Sequence, residues 1–595
     1  MNPLRYLVPV VAFCTLISLL NGQSRPEVDR SPVDVLLTPD ETQLVTVNQT
    51  SDTVSLVEIA TGKILVEAAV GRRPSSAALS RDGKRLAVTS TYAGELTLFA
   101  VEQGTLKKLG DVNLRFEPRG VALSADGERA YVALTTAHQV AVIDLAKLAI
   151  VERIPVKRWP RYLALSPDGT RLAVGTSGDG GVSVVDLATG KMLFAEEFSG
   201  LNLGEMQITK DGQYAYFPWM VYRQNPITPN NIRIGWVLAS RLARVRLDKP
   251  ARREAVSLDI QGLAVADPHG IALSPDERTA VIAASGTHEL LVVRLTDVPM
   301  LDYGGTDHLP DELRKDKSRF DRIPLGGRPM AVRYARDGRH VFVANYLLNA
   351  VQIIDVLARK VVQTIPLGSA SEATLARRGE AIFFDGQRSL DQWYSCHTCH
   401  YEGHSNSIAM DTKNDGRFGN FKTVLSLRNV TRTGPWFWHG WEKDLRAAVK
   451  RSMTDTMLGK APSDDDVKAV IAYLDTLAPP PNPHRQRDGT LTEAARRGEK
   501  VFRSEKANCA TCHSGKHFTD GRIHLVGTEQ RGDVYKGYNP PSLLGVFDRI
   551  HFLHDGRATT LEETLRGPHS PQRVTGRGDL TEEELQDLLA YVRSL

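Results

Sequence analysis

Hydrophobic and polar positions alternate in short runs through the first half of the chain, and this alternation predicts β-strands. Residues 171–174 and 182–186 are typical runs, each rich in valine, leucine and alanine with side chains facing alternate ways. An aspartate, usually followed by glycine, separates consecutive runs. Asp-Gly between alternating segments is a strong hairpin signal. This half of the chain is therefore predicted to be built from antiparallel hairpins.

The hairpin unit repeats along the chain. The turn aspartate recurs at Asp40, Asp82, Asp126, Asp168, Asp211, Asp276 and Asp337. The first five are about 42–44 residues apart, the length of one four-stranded propeller blade. The last two gaps are longer by roughly twenty residues, so blades five and six are expected to carry insertions. The repeat predicts an all-β, seven-bladed propeller over residues 31–370.

From about residue 371 the pattern changes to helices, and it does so twice. The segment 376–380, Ala-Arg-Arg-Gly-Glu, is repeated at 495–499. The closing helices, 463–477 and 581–595, each begin with a hydroxyl residue and an acid three positions on, a capping box. We therefore predict two mainly-α domains of one type, residues 372–480 and 490–595. The Pro-rich stretch 479–483 is predicted to be a stiff linker between them.

Each helical domain contains the motif C-x-x-C-H. The motifs are Cys396-His397-Thr398-Cys399-His400 and Cys509-Ala510-Thr511-Cys512-His513. Two cysteines at this spacing can bond to both vinyl groups of one porphyrin, and the next histidine is placed to ligate the iron. A zinc or dithiol site is the alternative, but it would call for further thiols, and only Cys14 lies outside the motifs. The prediction is two covalently bound haem c groups, with His400 and His513 as proximal iron ligands.

Composition and the N-terminus bear on location and partners. The chain has 595 residues, 24% of them charged, and a net charge of +4, which gives no support for nucleic-acid binding. Arg5 precedes an apolar stretch, 7–20, that is short for a membrane span. Residues 1–24 are predicted to be a signal peptide, with an uncleaved anchor as the alternative. We expect a periplasmic or otherwise exported protein without a membrane span after cleavage.

Two resemblances add to this reading. The first half resembles YVTN-type propeller repeats, with Phe342-Val343-Ala344-Asn345 the nearest local match. The C-terminal part, about 372–595, resembles the bacterial di-haem cytochrome c peroxidase and MauG family. That resemblance depends on the segments 426–430, 437–440, 518–521, 553–556 and 560–563. It implies a reactive haem in the first domain, an electron-relaying haem in the second, and a tryptophan between them, matched here by Trp438. Plain core packing is the alternative for Trp438.

The chain departs from the family at the reactive haem. The family usually has a carboxylate in a Pro-Val-Glu-Met-like run, whereas here Thr456 takes the glutamate's place and Asp455 is only a neighbour. This departure lowers the expectation of efficient peroxidase activity. By the same alignment, Met453 is the candidate distal ligand of the first haem, with Met457 as a rival, and His569 that of the second. A methionine raises and a histidine lowers the haem potential, so the usual order of potentials would be reversed.

Several other residues are candidates for supporting roles. Arg428 is a candidate partner for a haem propionate, with an exposed salt bridge as the alternative. His439 and His554 are candidate proton shuttles, with structural hydrogen bonds as the alternative. His404 and His517, each four residues past a proximal histidine, are expected at haem edges or in solvent. Propeller loops are expected to face one end of the channel, as either a docking face or ordinary packing; they contain Trp159, Arg161, Asp267, His269, Arg328, Trp219, Tyr222 and Arg223. The family resemblance also implies calcium, although no compact oxygen-ligand motif is present.

Together these features predict an exported di-haem c-type oxidoreductase with a propeller in front of it. It would take electrons from a redox partner protein, pass them by Trp438, and reduce peroxide or oxidise a substrate docked near the propeller. One alternative is a non-catalytic electron carrier in which both irons are six-coordinate and the propeller binds a partner. Another is a binding protein whose propeller recognises a small molecule or polymer while the haems sense redox state.

Overall fold

The computed structural model describes residues 29–595 except 103, 252, 303–306, 369–372 and 414–416. The predicted signal peptide, 1–24, lies outside the described residues. Seven antiparallel sheets follow one another up to residue 366 within the described chain. The innermost strand of each sheet contacts that of the next, and the last contacts the first, so the sheets close into a ring. The predicted seven-bladed propeller, followed by a mainly helical part, is confirmed.

Each blade except the fifth is built from consecutive strands or lies within one stretch of chain; blade five also includes Leu301–Asp302, which lies between the third and fourth strands of blade six along the sequence. Blade one contains the strands Pro32–Leu37, Gln43–Asn48, Thr53–Glu58 and Ile64–Ala69, and blade two contains Pro74–Leu79, Arg85–Ser90, Glu95–Glu102 and Thr105–Asn113. Blade three contains Pro118–Leu123, Arg129–Leu134, Gln139–Asp144 and Ala149–Pro155, and blade four contains Pro160–Leu165, Arg171–Thr176, Gly181–Asp186 and Lys191–Glu197. Blade five contains Gly200–Leu201, Gln207–Ile208, Tyr214–Tyr222, Leu238–Arg246, Glu254–Ser257 and Leu301–Asp302. Blade six contains Pro268–Leu273, Thr279–Ala284, Glu289–Arg294 and Phe320–Pro324, and blade seven contains Pro329–Tyr334, His340–Asn345, Ala350–Asp355 and Lys360–Pro366. Blades five and six carry the expected insertions, with the short helices α1 (Pro229–Arg233) and α2 (Asp311–Arg314).

The repeated aspartate closes the turn between the first two strands of a blade. In blade four, the Ser166 hydroxyl donates to Asp168 at 2.5 Å, and the same carboxylate accepts the Thr170 N–H at 3.0 Å. An aspartate that satisfies its own turn's backbone and side-chain donors fixes the hairpin. The same hydroxyl–aspartate pair recurs in blades one, two, three, five and six. The repeat visible in the sequence is therefore a repeat of turn chemistry.

Residues 373–595 form the helical module, which contains two domains. Its α-helices are α3 (Leu375–Phe383), α4 (Cys396–Cys399), α5 (Leu445–Arg451), α6 (Asp464–Leu474), α7 (Glu493–Arg503), α8 (Leu561–Arg566), α9 (Pro571–Thr575) and α10 (Glu582–Arg593). A π-helix (Ser452–Thr456) continues α5, and two short strands (Ala409–Met410 and Lys422–Thr423) pair in the first domain. Both predicted capping boxes are present, Ser463 with Asp466 at α6 and Thr581 with Glu584 at α10.

The two domains share one helix-packing arrangement. In the first, α3 crosses α6; in the second, α7 crosses α10. The glycine of each repeated Arg-Arg-Gly-Glu segment lies at the crossing: a Cβ on Gly379 or on Gly498 would lie 1.8 Å from a carbonyl oxygen of the facing helix. Among the described residues, no helix is both long and apolar enough to cross a membrane.

Candidate functional site

Each C-x-x-C-H segment lies on the wall of its own cavity. The first cavity, which contains segment 396–400, measures about 1910 Å³ out to its mouth. The second cavity, which contains segment 509–513, measures about 1230 Å³. Apolar side chains dominate the walls of both cavities, as they do in most small-molecule and cofactor sites. A flat, largely apolar porphyrin fits such a space.

The two proximal histidines are held in the same way. The Nδ1 atom of His400 lies 2.9 Å from the Leu425 carbonyl oxygen, and Nδ1 of His513 lies 3.1 Å from that of Phe518. A backbone carbonyl at Nδ1 orients the ring and leaves Nε2 for a metal ion. Burial lowers the pKa of each ring to about 4, so both imidazoles are neutral at pH 7, the form that ligates metals.

In the second cavity, His569 faces His513. The two ring centroids lie 6.4 Å apart. Two imidazoles that ligate one ion from opposite sides, with bonds of about 2 Å, would place their centroids about 6 Å apart. The Nδ1 atom of His569 is buried and has no hydrogen-bond partner among the described residues, which is costly unless a bound group compensates. The geometry therefore fits a haem held between these two rings.

In the first cavity, the π-helix presents Met453 and Thr456 to the lining. A π-helical turn inside an α-helix is frequently found at functional sites. Met457 lies elsewhere on this wall, with its sulfur 3.7 Å from Cys396 Sγ, beside the predicted thioether rather than across the cavity. Asp455 points outward and pairs with Arg451 at 3.5 Å. Among the described residues, no aspartate or glutamate lines this cavity.

Trp438 lies between the two cavities and contributes to the lining of both. Its indole N–H donates to the Thr423 carbonyl at 2.7 Å, which fixes the ring, and the residue is only 9% exposed. Trp438, His439 and His554 were predicted from the sequence to transfer electrons or protons. His439 lines the first cavity, and His554 lines the second.

Comparison with known proteins agrees with this geometry. The family model described as di-haem cytochrome c peroxidase matches residues 373–478 and 499–594. The helical module is therefore similar to this family, and we call it the di-haem domain. The match supports a di-haem oxidoreductase in general terms, and it spans both cavities.

Curated relatives and a solved structure extend the likeness. Hydrazine synthase subunit gamma of Kuenenia stuttgartiensis is 28% identical over 280 residues, covering 38% of this chain and 79% of the relative. Methylamine utilization protein MauG of Methylophilus methylotrophus is 24% identical over 290 residues, covering 39% and 84%. A structure of Kuenenia stuttgartiensis hydrazine synthase superimposes with a TM-score of 0.50 at 24% identity, covering 56% of this chain and 98% of that one. At that identity the structural likeness concerns the fold alone.

The two halves of the di-haem domain are joined by a buried ion pair. Arg428 lines the first cavity and contacts Asp548 of the second half at 2.9 Å. The Nε atom of Arg428 has no hydrogen-bond partner among the described residues, which leaves a donor for a haem propionate. His404 is also buried, 3.5 Å from Asp548, and neither it nor His517 lines a cavity.

The propeller loops pack against the first half of the di-haem domain, a contact that the sequence suggested only as a possible docking face. Asp267 accepts hydroxyl hydrogen bonds from Ser395 at 2.5 Å and from Thr398 at 2.6 Å, on either side of Cys396. Arg328 lies over the Phe384 ring. Trp219, by contrast, packs inside blades four and five.

The chain immediately after His400 contacts the innermost strands of the propeller. Tyr401 bonds to the Tyr162 hydroxyl at 3.0 Å, and Glu402 pairs with Arg119 at 3.2 Å. Burial opposes the ionisation of Glu402, but the charges of Arg119 and neighbouring arginines outweigh it and keep its pKa below the ordinary value. Sequence reasoning missed these contacts, because nothing in the repeat indicates which blade residues face the second domain.

Among the described residues, no group of three or more histidine, cysteine, aspartate or glutamate side chains is arranged to hold a metal ion. The calcium implied by the resemblance stays a prediction without a candidate site there. The donors for haem are of a different kind. In the second cavity His569 faces His513, and in the first cavity His400 and Met453 both line the wall, so these residue types fit a haem.

Proposed function

We propose that the protein is an exported di-haem oxidoreductase with two covalent haem c groups, attached through Cys396 and Cys399 and through Cys509 and Cys512. The observation that carries the proposal is the pair of cavities, each with a C-x-x-C-H segment in its wall and both bordered by Trp438. When bound, the haems would supply one-electron chemistry and, at an accessible iron, reaction with peroxide.

The chain's own groups divide the remaining work. His400 and His513 would ligate the irons from the proximal side, and Trp438 would offer an aromatic path between the haems. Because no acid of the described chain lines the first cavity, proton transfer there would fall to His439, whose Nε2 atom has no hydrogen-bond partner among the described residues. Arg428 would neutralise a propionate.

The distal ligands would set the order of potentials. His569 would complete a second haem with two nitrogen ligands, and Met453 would serve the first as a weakly held ligand that peroxide can displace. Because methionine ligation raises potential, the first haem would be the more easily reduced of the two. The second haem would then be the one that donates electrons across Trp438.

Partners and location follow from the same proposal. A redox partner protein would exchange electrons with the haems in the periplasm or another exported location. One relative is named as a subunit, which makes a multi-protein assembly a reasonable expectation here. A small molecule or polymer bound by the propeller would use the end of the ring away from the di-haem domain, since Tyr162 and Arg119 are engaged in the contact.

A purified holoprotein tests the proposal. We expect its mass to exceed that of the mature chain by two haems that acidic organic solvent does not extract, because thioether bonds hold them. We also expect a high-spin ferric haem whose absorption shifts on adding peroxide, in the oxidised or the half-reduced form. Haem that can be extracted would contradict covalent attachment. Two low-spin haems that do not respond to peroxide in either the oxidised or the half-reduced form would exclude an enzyme that reduces peroxide.

The absence of an acid from the described first-cavity lining favours a second candidate, a non-catalytic di-haem electron carrier that uses its propeller for partner binding. Both irons would then be six-coordinate, with His569 and Met453 as firm ligands. The same spectra distinguish the two candidates, because only an accessible iron responds to peroxide.

A further inference from the structure

One tyrosine near the two cavities is held in an unusual setting. The Tyr538 ring lies between two imidazoles, with its centroid 4.7 Å from that of His439 at 29° and 4.4 Å from that of His554 at 18°. Trp438 meets the same ring edge-on at 6.4 Å. Tyr538 is 5% exposed and lines the second cavity. Through Trp438 it is in ring contact with the wall of the first.

The Tyr538 hydroxyl has a built-in proton acceptor. It donates to Asp533 Oδ2 at 2.6 Å. The same carboxylate accepts from Lys422 of the first half of the di-haem domain at 2.6 Å, so the acceptor is anchored across the boundary between the halves. A donor and acceptor at this distance can exchange a proton without any movement of the chain.

The charges around this pair agree with its geometry. Burial, together with the hydrogen bond to Asp533, raises the pKa of Tyr538 above its ordinary value. Burial opposes the ionisation of Asp533, but hydrogen bonds from Lys422 and Tyr538 outweigh it and hold the pKa of that carboxyl at about 2. At pH 7 the resting pair is therefore a neutral phenol and a carboxylate, which is the state from which a proton can move.

We propose that Tyr538 is a redox-active relay residue beside Trp438, oxidised by one electron with transfer of its proton to Asp533. The proposal rests on the proposed function, which supplies the oxidant. Reduction of hydrogen peroxide to two waters takes two electrons and two protons. Tyr538 would supply one electron, the bound haem would supply the other until the redox partner replaces it, and solvent would supply both protons. The O–H bond of the phenol breaks, the proton goes to Asp533 Oδ2, and a neutral tyrosyl radical remains. An electron from the redox partner later restores the phenol, with the proton returning from Asp533.

Freeze-quenched holoprotein mixed with hydrogen peroxide tests the relay by electron paramagnetic resonance. We expect a narrow organic radical signal whose hyperfine structure collapses when the protein is grown with ring-deuterated tyrosine. In Tyr538→Phe, which keeps the ring stack and removes the hydroxyl, we expect that signal to fall at least tenfold. Tyr535→Phe is the matched control. Tyr535 lies in the same segment, is 37% exposed, and stacks on Trp441, with its ring centroid 6.1 Å from that of His439; the signal of this variant should match the parent's.

Optical spectra of the same samples distinguish a failure of the relay from a failure of the proposed function. A haem spectrum that responds to peroxide with no tyrosine-dependent radical would overturn the relay while leaving the proposed function standing. A radical unaffected by ring deuteration or retained in Tyr538→Phe would also overturn it. A haem spectrum indifferent to peroxide would remove the proposed function and the relay together. The labelled parent protein needs no substitution, so the test does not depend on a variant folding.

Discussion

At the scale of single residues, the chemistry depends on side chains that approach from outside the haem motifs. His513 is visible in its C-x-x-C-H segment, but His569 lies at the far side of the second cavity, 6.4 Å away between ring centroids. Helix α8 ends just before His569, and the His569 backbone N–H donates to the Thr564 carbonyl at 3.0 Å. The C-terminal end of helix α8 therefore fixes the position of the His569 imidazole.

His569→Ala is expected to convert one of the two haems from low-spin to high-spin, because it removes the imidazole opposite His513. Low-temperature electron paramagnetic resonance and the optical spectrum of the oxidised protein measure this change. His517→Ala is the control, since His517 lies outside the cavity lining and should leave both haems as they are. An unchanged spectrum in His569→Ala would show that His569 is not a ligand. Met453→Ala should change the spectrum of the other haem instead.

At the scale of elements, the two repeated glycines let pairs of helices touch. Gly379 of α3 lies against the Ala469 carbonyl of α6, and Gly498 of α7 against the Asp587 carbonyl of α10. Close contact places α3 and α7, which precede the haem motifs, against the closing helices of their domains. The repeated Arg-Arg-Gly-Glu segments therefore place a glycine at a helix crossing in each domain, and the two domains share this helix contact.

Gly379→Ala is expected to destabilise the first half of the di-haem domain. The new methyl group would lie 1.8 Å from the Ala469 carbonyl oxygen, and overpacking typically costs about 1–3 kcal/mol. Alanine's better helix propensity, about 1 kcal/mol, offsets only part of this. Urea denaturation followed by haem absorption measures it. Gly578→Ala, where a Cβ meets open space, should be close to neutral, and equal stability of the two variants would contradict the packing argument.

At the scale of the whole molecule, hydrogen bonds and an ion pair join the propeller to the first half of the di-haem domain. Asp267 holds both hydroxyls of the segment around Cys396, and the residues just past His400 contact Tyr162 and Arg119. The second half also touches the ring, where Arg158 donates to the Ile550 carbonyl at 3.0 Å. The propeller thus supports the first C-x-x-C-H segment from outside the helical fold.

Asp267→Ala is expected to loosen that support. It leaves the Ser395 and Thr398 hydroxyls without their acceptor, and an orphaned buried donor costs about 1–3 kcal/mol. We expect a lower unfolding midpoint and an altered spectrum and potential for the first haem, with the second haem unchanged. Denaturation and a redox titration that resolves the two haems measure this. Asp248→Ala, at an exposed pair with Arg246, should change neither; equal effects on both haems would indicate general destabilisation instead.

Much of the architecture could be predicted from sequence because its determinants are local. Turn aspartates, alternating strands, capping boxes and the C-x-x-C-H spacing each span a few residues, so each can be recognised without knowing its neighbours in space. The seven-bladed propeller and the duplicated helical part are confirmed on that basis. The roles of the individual site residues stay predictions, to be decided by spectra of the loaded protein.

The sequence by itself determined the repeat, the fold class and the position of the two C-x-x-C-H segments. Only the tertiary structure decided which propeller residues meet the first haem domain, that Trp438 borders both cavities, and that Tyr538 lies between two imidazoles with Asp533 at its hydroxyl. The physical reason is that these contacts join segments distant along the chain, and they form only when separate elements pack. Periodicity encodes which face of an element is buried, but it carries no record of the element that covers it.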